Sequence, residues 1–355
     1  MNIYILNKQL KIIAIYDFYK SLIWSNRYYK TGDFELQIPL VKNVKETIKQ
    51  DYFIFREIDY NNGIINRPKI IERIELINNT SENSLLVSGR DATALLDRRV
   101  IYPTAILNGN YEDCIINLID SHASTPTDPK RKIEILQATH TGLITDTIDT
   151  QVTGDTILKY IEKISNDYKI GFRVDLDTNA NKLIFKVYKG VDKTIGSDTV
   201  VISREFDNLL KDNYINEKEN YKNMAYVAGA GEGADRKLVT LNDIISGIDR
   251  RELFVDARDL QEKDDEGVDI PEAEYLEQLK QRGSERLSEC KINITNSCDA
   301  DVNGIYKFNI DYSLGDIVIC EGYMKFKERI VETTESNTTS GVKTELTFEE
   351  VEEDD

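Results

Sequence analysis

Histidine is scarce in this chain: only His122 and His140 occur among its 355 residues. Imidazole is the commonest general base and metal ligand, so this scarcity counts against most hydrolytic and metal-dependent chemistries. The four cysteines, Cys114, Cys290, Cys298 and Cys320, form no Cys-x-x-Cys pair and have no histidine beside them. That spacing argues against a zinc site or a disulfide framework and leaves buried thiols as the expectation. No stretch approaches the ~18 apolar residues of a membrane-crossing helix. The opening Met1-Asn2-Ile3-Tyr4-Ile5-Leu6-Asn7 lacks a basic segment and a long apolar core, so it does not read as a secretory leader. It alternates like a strand, and the expected site of synthesis is the cytoplasm. Positive charge is also short. Lys and Arg number 45 against 63 Asp and Glu, for a formal net charge of −18. A surface of this kind does not grip phosphate backbones, which require clustered cations. It favours solubility and cationic partners. No repeat of 20–50 residues is visible, which excludes a solenoid.

What is present is a succession of short periodic segments. Phe34, Leu36 and Ile38 alternate with polar neighbours, as in a half-buried strand, after a Thr31-Gly32-Asp33 turn. Further strands are expected at Tyr52 to Asp59, Lys69 to Asn78 and Ser84 to Gly89, with a hairpin turn at Asn61-Asn62-Gly63. Regularly spaced short strands of this kind suggest a small barrel or sandwich. After Gly89-Arg90-Asp91 the period changes. Ala92, Leu95, Leu96 and Arg99 share a helical face, and a second helix fits Tyr111 to Ala123. A third is expected from an Asp155 cap, with Ile157, Leu158, Ile161, Ile164 and Tyr168 as its apolar stripe and Gly171 as its end. A hairpin follows, with Phe172, Val174 and Leu176 opposite Leu183, Phe185 and Val187. Later, Tyr226-Val227-Ala228 reads as a strand, Gln261 to Asp269 as a polar loop, and Pro271 to Cys290 as a helix starting on proline. Tyr306, Phe308 and Ile310 alternate as a strand, and Ile317 to Cys320 follow a Gly315-Asp316 turn. The order is β, α+β, mixed, then β, with the two β regions expected to pack near each other.

Several constellations invite a chemical reading. Gly229-Ala230-Gly231-Glu232-Gly233 follows a strand, but its third glycine comes one residue early for a dinucleotide loop and no Gly-Lys-Ser/Thr follows. A flexible or close-packed loop is the better reading, and no cofactor is expected. Asp256, Asp259, Asp264, Asp265 and Glu266 are acidic but lack the register of a calcium loop. They read as solvated, as does the run from Glu349 to Asp355. His140 with Asp146 or Asp149 could be a base and its orienter, yet no nucleophile elbow accompanies it. Arg90, Arg98 and Arg99 surround Asp91 and Asp97. They suit ion pairs within the chain or contacts between subunits. Trp24, Tyr28-Tyr29, Tyr16 and Tyr19 make the first region aromatic, for core packing or for a sugar-binding or subunit platform.

These patterns converge on one resemblance. Trp24 to Leu36, containing Gly32-Asp33-Phe34-Glu35-Leu36, resembles the opening of a tail-protein family of phages and prophages of Gram-positive bacteria. Ser88-Gly89-Arg90-Asp91 with Leu95 to Arg99, Gly229 to Arg236, Leu253 to Leu260, and Tyr312 to Val318 with its Gly315-Asp316 are similar to further signatures of that family, in the same order. The resemblance implies a baseplate hub, a multi-domain α+β protein with two small β-barrel, tail-tube-like domains and an inserted α+β region. It places the first barrel at 1–90, the α+β domain at 91–200, the second barrel at 201–240 and 303–355, and a helix-containing insert at 241–302. It implies a homotrimeric ring, without enzymatic activity, that joins the tail tube to a central spike or fibre. Tail tube, spike or tail-tip, other baseplate and tape-measure proteins are the expected partners. DNA would pass through the lumen unbound, within a virion tail or a bacteriocin particle. A receptor- or glycan-binding tail module and a cell-wall hydrolase are the alternatives.

Overall fold

The computed structural model describes every residue except 42, 79–82, 234–235, 261, 263–267, 269, 303, 324, 339–340 and 352–355, and gives the backbone alone for 295–299. Asp264, Asp265, Glu266, most of the 261–269 loop, the side chain of Cys298 and the acidic residues after Val351 therefore lie outside the described residues. The chain forms two compact units, 1–213 together with 296–355, and 214–295.

The first region supplies β1 (Ile3–Leu6), β2 (Ile12–Tyr16), β3 (Ser21–Arg27), β4 (Asp33–Pro39), a short helix α1 (Val44–Thr47), β5 (Phe53–Arg56), β6 (Tyr60–Asn61), β7 (Ile64–Ile65), β8 (Lys69–Asn78) and β9 (Asn83–Asp91). The Asn62-Gly63 turn joins β6 to β7 with both residues at positive φ, as its sequence predicts. The main strands run in the order β3-β4-β9-β8-β5-β1-β2. The continuous apolar run Phe53-Ile54-Phe55 shows that this sheet is covered on both faces. Phe53 and Phe55 enter one core, shared with Leu6 and Ile70, while Ile54 enters another with Ile3, Ile5 and Ile71. At the sheet end, β2 leaves Ile12, Ile13 and Ile15 exposed.

The α+β region follows. A 3-10 segment, Ala92–Arg98, stands where an α-helical face was expected. Then come β10 (Ala105–Asn110), α2 (Tyr111–Ile119), β11 (Leu136–Ala138), β12 (Thr147–Val152), α3 (Ile157–Tyr168), β13 (Gly171–Asp177) and β14 (Lys182–Tyr188). The second helix changes to a π turn at Asp120–Ser124. α3 is capped by Thr156, whose hydroxyl accepts from the Lys159 amide at 3.3 Å, and not by Asp155. It ends on a left-handed Lys169, with Gly171 already in the next strand. β13 and β14 pair as the hairpin anticipated, with Phe172 opposite Val187 and Leu176 opposite Leu183.

The remaining strands are β15 (Val201–Ser203), β16 (Leu209–Glu217), β17 (Met224–Ala228), β18 (Leu238–Leu241), β19 (Glu252–Asp256), β20 (Asn293–Ala300), β21 (Ile317–Glu321), β22 (Lys325–Thr338) and β23 (Gly341–Glu350), with helix α4 (Glu272–Ser288) between β19 and β20. In the 214–295 unit, β17 pairs antiparallel with β18 and parallel with β19. Tyr275, Leu279 and Gly283 form the buried stripe of α4, and Pro271 serves as its N-cap. Tyr275 and Leu279 share a small core with Ala225, Val227, Val255 and Ala257.

Two expectations fail. Residues 306–310 are not a strand. The Asp311 amide bonds the Lys307 carbonyl at 2.9 Å, its carboxylate takes the Lys307 amide at 2.7 Å, and the alternating aromatics lie on a turn. Nor does either β region close into a barrel among the described residues. Both belong to one open thirteen-stranded sheet, β16-β20-β23-β22-β3-β4-β9-β8-β5-β1-β2, with β21 attached to β22 and β15 to β21. The reason is visible at β3. Its outer edge, which would close an N-terminal barrel, is taken by β22, with Arg27 opposite Glu332 and Ser21 opposite Thr338.

Candidate functional site

The residues that stood out in sequence gather at two buried joints. The first lies where β3, β4, β8 and β9 meet. Lys69 is fully buried. Its ammonium pairs with Asp91, donates to the Ser25 carbonyl at 2.8 Å and to Asn26 Oδ1 at 3.2 Å, and sits 4.7 Å from the centre of the Trp24 ring. Arg56 approaches the same ring at 4.8 Å and pairs with Asp59 at 2.7 Å and Glu335 at 3.0 Å. Burial pulls the Lys69 ammonium below its ordinary value, and the Asp91 charge opposes that pull. The other Asp91 oxygen accepts from the Gly32 amide at 3.0 Å. Gly32 has to be glycine, since a Cβ there would stand 2.2 Å from the Ser25 carbonyl oxygen and 2.8 Å from Asp91. At Gly89 a Cβ would fall 1.9 Å from the Ile70 carbonyl oxygen. The motifs Gly32-Asp33 and Gly89-Arg90-Asp91 are thus two sides of one joint.

Tyr28 makes the second joint. Its ring is fully buried, and its hydroxyl accepts from the Gly190 amide at 2.9 Å. A Cβ on Gly171 or on Gly315 would come within 2.2 or 2.3 Å of the ring, and one on Gly190 within 1.8 Å of the Gly315 carbonyl oxygen. Two glycines at the ends of the β13–β14 hairpin and one from the Gly315-Asp316 turn therefore form the socket. Asp316 locks it by accepting from the amides of Val191 at 2.7 Å and Ser313 at 2.8 Å. Arg329 donates to the Gly315 carbonyl at 2.9 Å and lies 5.7 Å from the Tyr28 ring centre. Burial raises the Asp316 carboxyl above the usual range. Local sequence pattern marks Gly171 only as a helix end and does not mark Gly190, because only the folded chain brings them to Tyr28. Trp24, Tyr28, Tyr29 and Tyr16 are all buried, so these aromatics pack inward and do not form a surface platform.

The side chains of the three arginines make other contacts. Arg90 forms a two-pronged pair with Glu72 at 2.8 and 2.9 Å and reaches Asp97 at 3.2 Å. Arg98 pairs with Asp51 at 2.6 Å. Among the described residues Arg99 donates to carbonyls, Arg131 O at 2.6 Å and Arg98 O at 2.9 Å.

The glycine loop after β17 is close-packed at its first residue. A Cβ on Gly229 would lie 2.4 Å from the Tyr275 hydroxyl, which accepts from the Ala230 amide at 2.8 Å and donates to the Leu260 carbonyl at 2.9 Å. Arg236 bonds the Gly229 carbonyl at 2.6 Å and pairs with Asp256. Asp256 also pairs with Arg258 at 3.0 Å, and Asp259 takes a two-pronged contact from Arg282 at 2.9 and 3.1 Å. Asp256 and Asp259 are exposed, as expected, and are also paired. They tie the β19 end to β18 and α4.

The catalytic candidates do not assemble. His140 Nε2 meets Asp113 at 2.9 Å on the surface. Asp146 pairs instead with Lys189 at 3.2 Å, and Asp149 accepts from Asn108 at 2.9 Å. Ser121 Oγ lies 2.8 Å from His122 Nδ1, a pairing that sequence reading missed. That nitrogen is also 2.9 Å from the Leu118 carbonyl, which can only accept, so Nδ1 carries a proton and cannot remove one from Ser121. The Ser121 hydroxyl itself donates to Asn117 O at 2.7 Å. Among the described residues, no group of three or more His, Cys, Asp or Glu side chains could hold a metal ion.

No curated protein matches the chain. Two solved structures share its fold along nearly its whole length. The tail protein from Neisseria meningitidis MC58 superposes with a TM-score of 0.55 at 13% identity, covering 98% of this chain and 96% of that one. The 43 kDa tail protein of prophage MuSo2 from Shewanella oneidensis gives 0.56 at 12% identity, covering 99% and 98%. The family model described as Siphovirus ReqiPepy6 Gp37-like protein matches residues 2–348, and the chain belongs to that family.

Proposed function

We propose that this tail protein is a structural hub, a homotrimeric ring that joins the tail tube to the central spike or fibre. The observation that carries this reading is the end-to-end likeness to two tail proteins of nearly equal length. The internal design is in keeping with it. Conspicuous polar residues such as Lys69, Asp91 and Asp316 are spent on joints between segments of the chain, where a load-transmitting ring needs rigidity and an enzyme would need an open cleft. The function is then one of shape and symmetry, without catalysis. Ring contacts form between subunits, and the tube, spike or tail-tip, other baseplate and tape-measure proteins are the partners. The two β regions of each copy, joined in one open sheet, would alternate around the ring. Part of the acidic surplus would line the passage and let DNA slide without sticking.

Light scattering of the purified chain, followed by negative-stain imaging, tests the reading. A mass of three chains and a ring-shaped projection are expected. A monomer at every concentration, unchanged by added tube protein, overturns the ring, and a predominantly positive passage wall overturns the account of DNA transit.

A further inference from the structure

β2 ends the thirteen-stranded sheet, and among the described residues it pairs with β1 alone. The bond from the Glu57 amide to the Asn2 carbonyl, at 2.9 Å, fixes which way the backbone groups point. Hydrogen-bonded and non-bonded positions alternate along an antiparallel pair. Asn2 and then Tyr4, opposite Phe55, therefore bond β5, while Ile3 and Ile5 turn to β2, opposite Tyr16 and Ala14. Tyr16 and Ala14 in turn bond β1, so Ile15 between them directs its own N–H and C=O to the open side. Ile13 is passed over by the pairing with β1 altogether.

Folded proteins usually interrupt an open edge with charge or proline. From Ile12 to Tyr16 this edge has neither. Its Ile12, Ile13 and Ile15 are 53%, 39% and 55% exposed. Charge comes only at the two ends, as Lys11 and Asp17, both exposed. Neither side chain meets an oppositely charged group among the described residues. The nearby Asp51 is already held by Lys8 at 3.1 Å and Arg98 at 2.6 Å.

The placement of these two charges names the partner. Lys11 and Asp17 stand at equal distances on either side of Ala14, and the residues between them are aliphatic or aromatic. Such a segment is complementary to its own reversed copy. About a two-fold axis at Ala14, an antiparallel pair sets Lys11 opposite Asp17 at both ends, with Ile13 opposite Ile15 and Ile12 opposite Tyr16 between them. Opposite charges and apolar side chains that face each other across strands stabilise the pair.

We propose that β2 of one copy pairs antiparallel with β2 of a second copy in this register. A two-fold contact is isologous and is complete once two copies meet. It is therefore distinct from the contacts that would build a ring of three, and it doubles whatever carries it, a single chain or a ring. One five-residue strand from each side makes a small interface, so the doubling is reversible and belongs to high concentration.

The test is light scattering of the full chain over a concentration series. The mass of the wild type should double as concentration rises. K11D sets two carboxylates opposite each other at both ends of the contact, and D17K sets two ammonium groups there. Each substitution lies on an exposed side chain and should leave the melting temperature unchanged, but should raise the concentration of half-doubling about tenfold or more. An equal mixture of K11D and D17K restores both opposite-charge pairs, as does the double variant K11D/D17K. Both should return to the wild-type midpoint. A wild type whose mass never doubles overturns the contact. So does doubling unaffected by either single variant, or a double variant as weak as the single ones. The ring reading fails separately: a chain that doubles from one copy to two, and never from three to six, removes the ring and leaves this contact standing.

Discussion

Tyr28 and Tyr275 are both fully buried and both press against glycine, but they act over different spans of chain. Tyr28 gathers Gly171 and Gly190, at the two ends of the β13–β14 hairpin, and Gly315, more than a hundred residues further on, into one socket. Tyr275 joins Gly229, Ala230 and Leu260 within the 214–295 unit. The first device holds together the large unit; the second holds a three-stranded sheet to one helix. A glycine that merely looks like part of a ligand loop can thus be the seat of a tyrosine, and the reach of that tyrosine decides how much of the fold depends on it.

Substitutions at the glycines should break this comparison most sharply. Gly190→Ala sets a Cβ 1.8 Å from a backbone oxygen that has nowhere to move. It should cost about 4 kcal/mol or more and lower the melting of the large unit, or prevent its folding. Gly229→Ala meets a side-chain hydroxyl, and about 1–3 kcal/mol is expected. Hydrogen exchange should show that loss confined to 214–295. A result in which Gly190→Ala is the milder of the two would remove the distinction.

The charged partners come next. Asp91→Ala leaves Lys69 buried without its counter-charge, and about 3–5 kcal/mol should be lost. Asp259→Ala breaks an exposed pair with Arg282, and the loss should stay within about 1 kcal/mol. Denaturant titration resolves the difference. The hydroxyls give a finer version. Tyr28→Phe leaves the Gly190 amide unpaired in the core and should cost about 1–2 kcal/mol of global stability, whereas Tyr275→Phe should speed exchange only at Ala230 and its neighbours.

Acid should act on Asp316 and on the Asp256 and Asp259 sites in opposite directions, as the smallest effect. Hydrogen bonds from Arg258 and Arg282 hold Asp256 and Asp259 below the usual carboxylate range. The unfolded chain binds more protons there, so stability from these groups is present above about pH 4 and is lost as the pH falls through their folded values. Asp316 is raised by burial, so its folded form takes up a proton first, and mild acidification relieves a penalty. Corrected exchange rates between about pH 5 and pH 3 should rise at Ala257 to Leu260 before they rise at Gly190 and Val191. The reverse order would contradict this assignment.

Much of the local structure was legible in the sequence. β8 occupies Lys69–Asn78 as its pattern predicts, Asn62-Gly63 makes its turn, and the hairpin of β13 and β14 keeps the alternation of Phe172 to Val187. These depend on neighbours a few residues apart. The joints do not. Nothing near Gly171 or Gly190 announces a tyrosine from β3's end, and nothing in β3 announces that its edge partner is β22 and not another N-terminal strand. The alternation of Tyr306, Phe308 and Ile310 misled for the complementary reason: the carboxylate of Asp311 imposes a turn that hydrophobic period cannot register. The Ser121 and His122 contact was readable as adjacency, but the competing Leu118 carbonyl that fixes its proton was not.

The pairing of β3 with β22 has a consequence for how the protein is made. Arg27 and Glu332, which face each other across that pair, stand 305 residues apart in the chain. At about 5–20 residues per second, a ribosome needs on the order of tens of seconds to add the second after the first. Throughout that interval the nascent N-terminal sheet holds β3 with one edge open, a template for any extended segment of a neighbouring polypeptide. Late-closing topologies of this kind fold slowly. Slow synthesis, crowding of polysomes or scarcity of chaperones should therefore lower the yield of soluble protein more than the final stability of the fold would suggest.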